Sequence, residues 1–371
     1  MTSRMRLAAI LLLLTLLLAG CWDDIPIDQR ALVLMMGVWP AAHGQVKVAF
    51  QIPTAAGLAT LGGAPGGGGS GGSAEVYVLT ATGPTMMAAL SHAEEDSSRD
   101  LYLGQTGMVI LSSRLDPAQF NDVVATLTRI GPFAKTAYIG TTTASESKFM
   151  NTTPQERRIP ALYFLGVFGC QPCLPVAMHR TVWRLEHDAF TPGVTFWDPL
   201  ITPRAQSFQL QRMVLYRGGR IAAILNARET LMMGLALGRT MKAPLQLPGL
   251  GGGPASVRAV RGVATPSTKL VGGRLHLAIS LQVVGTVDIL PVGQASSHNI
   301  PILEGQLAHV VAVGVLKTLR QAQSVGADPV GFGMAFLYHN PSEVRNWPTL
   351  YRRASIQVAV HVTLHDLGDM T

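Results

Sequence analysis

The chain has 371 residues, 48% of them hydrophobic and only 14% charged, a balance that excludes a disordered protein and gives ample length for a buried core. The formal net charge of +7 includes Arg4 and Arg6, and the remaining Lys and Arg are scattered without interleaved aromatics, which argues against a nucleic-acid binder. Three cysteines, Cys21, Cys170 and Cys173, are too few for a disulfide scaffold or a four-cysteine zinc site.

Arg4 and Arg6 precede an apolar run from Leu7 through Gly20. The run is shorter than the roughly 20 residues a transmembrane helix needs and has the length of a signal-peptide core. It ends in Leu18-Ala19-Gly20-Cys21, an aliphatic residue, two small residues and a cysteine, which fits the bacterial lipobox. Residues 1–20 are therefore expected to be removed. The Cys21 thiolate then takes a diacylglyceryl group and ties the chain to membrane lipid, at about 0.8 kcal/mol per buried methylene. The later apolar run at 310–316 is too short to span and is followed by Lys317 and Arg320. The bulk of the chain is expected as a soluble domain outside the cytoplasm.

Residues 31–39 and 46–52 read as a strand pair, with Val46, Val48 and Phe50 alternating against Lys47 and Gln51. Residues 57–73 carry little that can pack and are expected as a flexible loop. The letters around Ser70 match the hydrolase pattern G-x-S-x-G, but the strand before and helix after that a nucleophile elbow needs are missing. Residues 76–82 read as a strand, 84–95 as a helix with Pro84 in its first turn, and 108–111 as a buried strand. Asp116-Pro117 opens a helix to 129, and 137–143 returns as a strand. Residues 154–203 are less regular, with a helix near 176–187 and a proline-rich linker at 191–204. Farther on, 208–216 and 220–225 are strands about an Arg-Gly-Gly turn, and 228–237 is a helix. Residues 257–264 and 275–290 are long strands. A longer helix runs from near Ile300 to Ser324, with Asn299 as N-cap and Gly326 as stop, and puts Leu303, Leu307, Val310, Val311 and Gly314 on one face. The strand at 355–364 closes the chain. This alternation implies an α/β or α+β architecture, expected as a multi-domain α+β fold of mixed or antiparallel sheets with packed helices: an N-terminal α/β domain over 21–195, a linker at 196–206 and a C-terminal domain over 207–371.

Cys170-Gln171-Pro172-Cys173 has the look of a redox pair, yet Leu174-Pro175 keeps any helix from starting at the first cysteine, where a dipole would activate it. The pair reads as a local disulfide or two free thiols in a loop. His361 and His365 lie in an alternating, strand-like segment, where their spacing spans about 13 Å, too far for one metal ion. Glu94, Glu95, Asp96 and Asp100 read as a solvated helix end, against the alternative of a docking surface or paired-carboxylate site. Phe332, Phe336, Tyr338 and Trp347 read as core, against an aromatic docking patch. Asp328 is expected to cap the short helix after Gly326.

Several segments in order resemble one family: GCWD at 20–23, RALVLMMGV at 30–38, SSRDLYLGQTGMVILSSRL at 97–115 and RIPALYF at 158–164. MVLYRGGRIAAILNARETLMMGLALG at 213–238, LRQAQSVGADPVGFGMAF at 319–336 and Asn346-Trp347 continue the likeness. The chain is similar, over nearly its whole mature length, to the GerAC-type, or Ger(x)C, spore-germination lipoproteins. The glycine-rich stretch at 57–73, the Cys170/Cys173 pair and the residues at 105–107 depart from that pattern. The resemblance implies the lipid-anchored C subunit of a germinant receptor, on the extracytoplasmic face of the spore's inner membrane. Its partners would be two polytopic subunits, A and B, and it would be neither an enzyme nor the holder of any cofactor besides the acyl lipid on Cys21. The rival readings are a solute-binding lipoprotein of a transporter and, more distantly, a secreted thiol oxidoreductase.

Overall fold

A computed structural model describes residues 25–61, 75–170, 178–248, 255–289 and 299–365. The strand expected at 31–39 divides in two, Arg30–Leu32 (β1) and Met35–Pro40 (β2). The backbone changes partner between them: Val33 N–H donates to Tyr102 O, and Leu34 N–H to Gln51 O. β2 pairs antiparallel with Val46–Pro53 (β3), which pairs antiparallel with Val76–Gly83 (β4). Ala55–Leu61 (α1) occupies the start of the stretch expected as a flexible loop, and 62–74, with Ser70, lie outside the described residues.

Met86–Glu95 (α2) begins later than Pro84 because Thr85 is the N-cap, its hydroxyl accepting from Ala88 N–H. Asp100–Tyr102 (β5) lies parallel to β1. Met108–Ser112 (β6) is buried throughout and is followed by Pro117–Arg129 (α3). Asp116 and Gln119 close a reciprocal capping box at the start of α3, with Pro117 in its first turn. Tyr138–Thr142 (β7) and the short Glu146–Met150 (α4) come next. Pro160–Gly169 (α5) stands where the sequence reads as irregular. The helix expected near 176–187 begins at Val182 and runs to Phe190 (α6), after Arg180–Thr181 (β8).

The expected linker is a correction. Within 191–204, Trp197–Pro203 (β9) is a buried strand inside a sheet. Its prolines mimic a loop, but Pro199 and Pro203 lack only an N–H, and β9 meets β7 only with Leu200 opposite Thr141. Phe208–Arg217 (β10) and Arg220–Leu225 (β11), read with the C-terminal half, extend the same sheet, closing through Gly218 and Gly219, both at positive φ. The mixed nine-stranded sheet runs β11-β10-β9-β7-β6-β2-β3-β4, with β8 beside β7. Alternate residues feed opposite cores. Met36, Val38, Val109 and Leu111 pack with α2, α3 and α6, while Met35, Trp39, Met108 and Ile110 pack with α4 and α5. A strand covered on both faces reads as a continuous apolar run, which is why β6 reads so plainly.

The second half begins with Ala227–Ala236 (α7), Thr240–Met241 (β12) and Leu245–Leu247 (β13). Ala255–Val271 (β14) and Arg274–Ile289 (β15) form a long hairpin about Gly272 and Gly273, both at positive φ as a two-residue turn requires. Ile300–Ser324 (α8), Phe332–His339 (α9) and Trp347–Arg353 (α10) pack on one face of this sheet, and Ser355–His365 (β16) adds a parallel strand beside β15. The sheet order is β12-β14-β15-β16, with β13 beside β14. α8 is long and apolar enough to cross a membrane by length and composition alone, yet Leu303, Leu307, Val311, Val315 and Leu319 are buried in the core. That core also takes in Trp197, Met213 and Leu215 of the nine-stranded sheet, so one apolar cluster joins the two halves. Among the described residues the fold is α+β, with two large sheets and the two-stranded β1–β5 pair.

Candidate functional site

Cys21 and the lipobox residues Leu18, Ala19 and Gly20 lie outside the described residues, as does Cys173. Cys170 ends α5 and is disulfide-bonded. His361 and His365 stand on the exposed face of β16, and Glu94, Glu95, Asp96 and Asp100 are exposed around the end of α2. Phe332, Phe336 and Trp347 are core residues, whereas Tyr338 is 83% exposed.

The Gly-Ala-Asp motif builds a junction. α8 ends at Ser324 with Val325 as its C-cap, and Gly326 takes φ +71° so that Ala327 N–H can reach back to Ala322 O. Asp328, 2% exposed, follows. Its Oδ1 accepts from Gly331 N–H at 3.0 Å and its Oδ2 from Gly333 N–H at 2.7 Å, which fixes the turn into α9. Its own N–H donates to Thr195 Oγ1 at 2.8 Å, and its carbonyl accepts from Thr195 N–H at 3.0 Å. This motif therefore clamps the segment that leads into β9. The contact is close: a Cβ on Gly333 would lie 2.4 Å from Gly193 Cα and 2.5 Å from the Trp347 ring. Tyr351 donates to Ala327 O at 2.8 Å, and Gln323 Nε2 ties α8 to Tyr351 O and Ala354 O. Burial pushes the Asp328 carboxyl up to about 7 against the opposing pull of the Gly333, Phe332 and Gly331 N–H groups.

A second polar cluster sits inside the nine-stranded sheet. Thr141 Oγ1 donates to Asp198 at 2.8 and 2.9 Å and accepts from the Tyr216 hydroxyl at 2.5 Å. Burial raises both the Asp198 carboxyl and the Tyr216 phenol well above their ordinary values. Nothing in the spacing of residues 141, 198 and 216 announces this cluster, because sheet pairing alone brings them together.

A hollow lies between α7 and α8. Asn226 and Glu229 cap α7 reciprocally at 2.9 and 3.0 Å. Gly314 lets the helices approach, since a Cβ there would meet Met232 Sδ at 2.7 Å. The cavity between them measures about 390 Å³ and is lined by Met232, Val310, Val313 and Gly314 together with Arg228, Glu229, His309 and Lys317. A neighbouring hollow of about 300 Å³ shares Arg228 and Val310. Among the described residues no group of three or more His, Cys, Asp or Glu side chains is placed to hold a metal ion.

A helix-sandwiched mixed sheet, locked through a Gly-Ala-Asp turn and a shared core to a second sheet with helices on one face, defines a two-part α+β protein of the kind that spore-germination family models describe. One model, described as "Spore germination protein N-terminal domain", matches residues 23–203, and another, "Spore germination B3/ GerAC like, C-terminal", matches 211–368. The chain belongs to the GerAC family of spore germination proteins. It is 24% identical to the putative spore germination protein YfkR of Bacillus subtilis strain 168, covering 96% of this chain and 95% of that one. It is 20% identical to spore germination protein GerQC of Bacillus cereus, over 96% and 97% of the two chains. The solved structure titled "Crystal Structure of the GerBC protein" superposes with a TM-score of 0.54 at 12% identity, over 89% of this chain and 96% of that one, a likeness of fold.

Proposed function

We propose that this chain is the lipid-anchored C subunit of a spore germinant receptor, held by Cys21 on the extracytoplasmic face of the spore's inner membrane. It works beside two polytopic subunits, A and B, passing the nutrient signal without catalysing a reaction. The observation that carries this reading is the tiling of 23–368 by the two halves of one germination family, beginning just after a lipobox cysteine. The clamp at Asp328 supports it, because a subunit that relays a signal between membrane partners needs its halves held in fixed relation. The transporter alternative draws no support from the relatives, which are spore germination proteins.

Deletion of the gene tests the reading. Spores lacking it are expected to lose germination on at least one nutrient while responding normally to a non-nutrient trigger such as calcium dipicolinate, and restoring the gene is expected to rescue them. Unchanged germination on every nutrient, in a strain stripped of paralogous receptors but one, refutes the receptor role. Cys21→Ala tests the anchor separately: the variant is expected to leave the membrane fraction after carbonate extraction, and retention there refutes lipid attachment at Cys21.

A further inference from the structure

The first described residues hold apolar side chains out in solvent. Ile25 and Ile27 are both exposed, and Ile27, at 74%, is more exposed than any other Ile, Leu, Val or Met among the described residues. Ile27 opens a 3-10 turn, Ile27–Gln29, none of whose residues is buried. The turn runs straight into β1.

Other elements bring apolar groups to the same place. Leu58, exposed on α1, lines one hollow of about 360 Å³ together with Ile27, Leu32, Ile52 and Pro53. Tyr77, also exposed, stands directly opposite Ile52 on β4, the outermost strand at this end of the nine-stranded sheet, and so lies on the same face. Single apolar residues on a surface are ordinary, but exposed ones gathered from separate elements around one hollow mark a contact surface.

Chain length says what lies against it. Ile25 stands four residues after Cys21, and four residues span at most about 14 Å. Lipid on Cys21 therefore keeps Ile25 within that distance of the bilayer. Arg99, exposed in the lining of the same hollow, can reach a lipid phosphate with its charged end. Asp28, Glu94 and Asp100 line the hollow beside it and would be repelled by anionic lipid, so the contact must be driven by the apolar side chains. A few partly inserted side chains would hold a free protein only weakly. Tethered at Cys21, the same surface has a high effective concentration at the bilayer, and weak affinity suffices.

We propose that Ile25, Ile27, Leu58 and Tyr77 form the surface that beds into the bilayer carrying Cys21, so that the chain lies on the membrane in one orientation. This rests on the lipid attachment proposed at Cys21. The β4 end of the nine-stranded sheet then faces lipid, and β11, at the opposite end of the strand order, faces away from it.

The test uses the full-length protein, purified from membranes in neutral detergent and placed in phosphatidylcholine vesicles. Mass spectrometry of the N-terminal peptide first reports whether Cys21 carries lipid. Nitroxide labels on Ile27→Cys, Leu58→Cys and Lys269→Cys are then compared by electron paramagnetic resonance, with wild type taken through the same labelling as the blank. All three positions are exposed, so the substitutions leave the core untouched. Collision with oxygen, which concentrates in lipid, and with a water-soluble nickel chelate gives the depth of each label. The labels at 27 and 58 are expected about 5–10 Å into the boundary between headgroups and acyl chains, and the label at 269 in water. Lipid on Cys21 with the label at 27 or 58 in water, or with the label at 269 equally deep, overturns the docking surface and leaves the anchor standing. Labels shielded from both oxygen and nickel are covered by a second copy of the chain, which overturns it too. Absence of lipid on Cys21 overturns the anchor, and the docking surface with it.

Discussion

Asp328→Asn makes the sharpest test of the clamp, because the substitution keeps the shape of the side chain and removes its titration, at the pH-independent cost of one of the two N–H bonds the carboxylate accepts. The native carboxyl is pushed up to about 7, and the ordinary carboxylate value is 3.8. A gap of about three units corresponds to about 4 kcal/mol as an upper limit, since each unit is about 1.4 kcal/mol. The raised folded value fixes the sign. The proton stabilises the native state relative to the unfolded one, so this contribution is complete below about pH 4 and is lost as pH rises through about 7. Wild type should therefore lose up to about 4 kcal/mol relative to Asp328→Asn between pH 4 and pH 8. Guanidinium unfolding of both proteins across that range, followed by tryptophan fluorescence, measures the difference; Trp347 stands beside Gly333 and reports the junction. Parallel pH profiles would refute the reasoning. So would a wild type that gains on Asp328→Asn as pH rises, since the N–H groups of Gly331, Phe332 and Gly333 would then outweigh burial.

Gly333→Ala places a methyl group against Gly193 Cα and Trp347, and overpacking of this kind should cost about 1–3 kcal/mol in a thermal or chemical melt. Thr141→Val strands both the Asp198 carboxyl and the Tyr216 hydroxyl, at about 1–3 kcal/mol each, so a loss of under 1 kcal/mol would count against the hydrogen-bonded cluster. Val313→Asp charges the lining of the α7/α8 cavity at a residue 53% exposed, and should shift folding stability by no more than about 0.5 kcal/mol. If the cavity is a contact with another receptor subunit, the same variant lowers co-purification with that subunit.

Local chemistry was legible and long-range pairing was not. Asp116, Pro117 and Gln119 announce the start of α3 because a helix N-terminus needs those groups at those offsets, and Asp328 reads as a cap for the same reason. Its grip on Thr195 is invisible in the sequence, since it joins residues far apart along the chain. α5 escaped notice because its apolar residues leave hardly any polar face to show a period of 3.6, and prolines stand in it and after it. β9 was hidden by its own prolines. β10 and β11 read correctly as strands, but the sheet they join is set by pairing with β9.

The passage of the nine-stranded sheet through β9, β10 and β11 bears on how the molecule can be cut. A fragment that stops at residue 203, or one that starts at 211, severs the β9–β10 ladder in which Leu215 faces Trp197 and Met213 faces Pro199. Each piece then carries a raw strand edge and an uncovered share of the common apolar cluster, so the pieces would associate through that edge or precipitate. The boundary at which the two sequence families meet is thus a seam of inheritance and not a line of mechanical weakness.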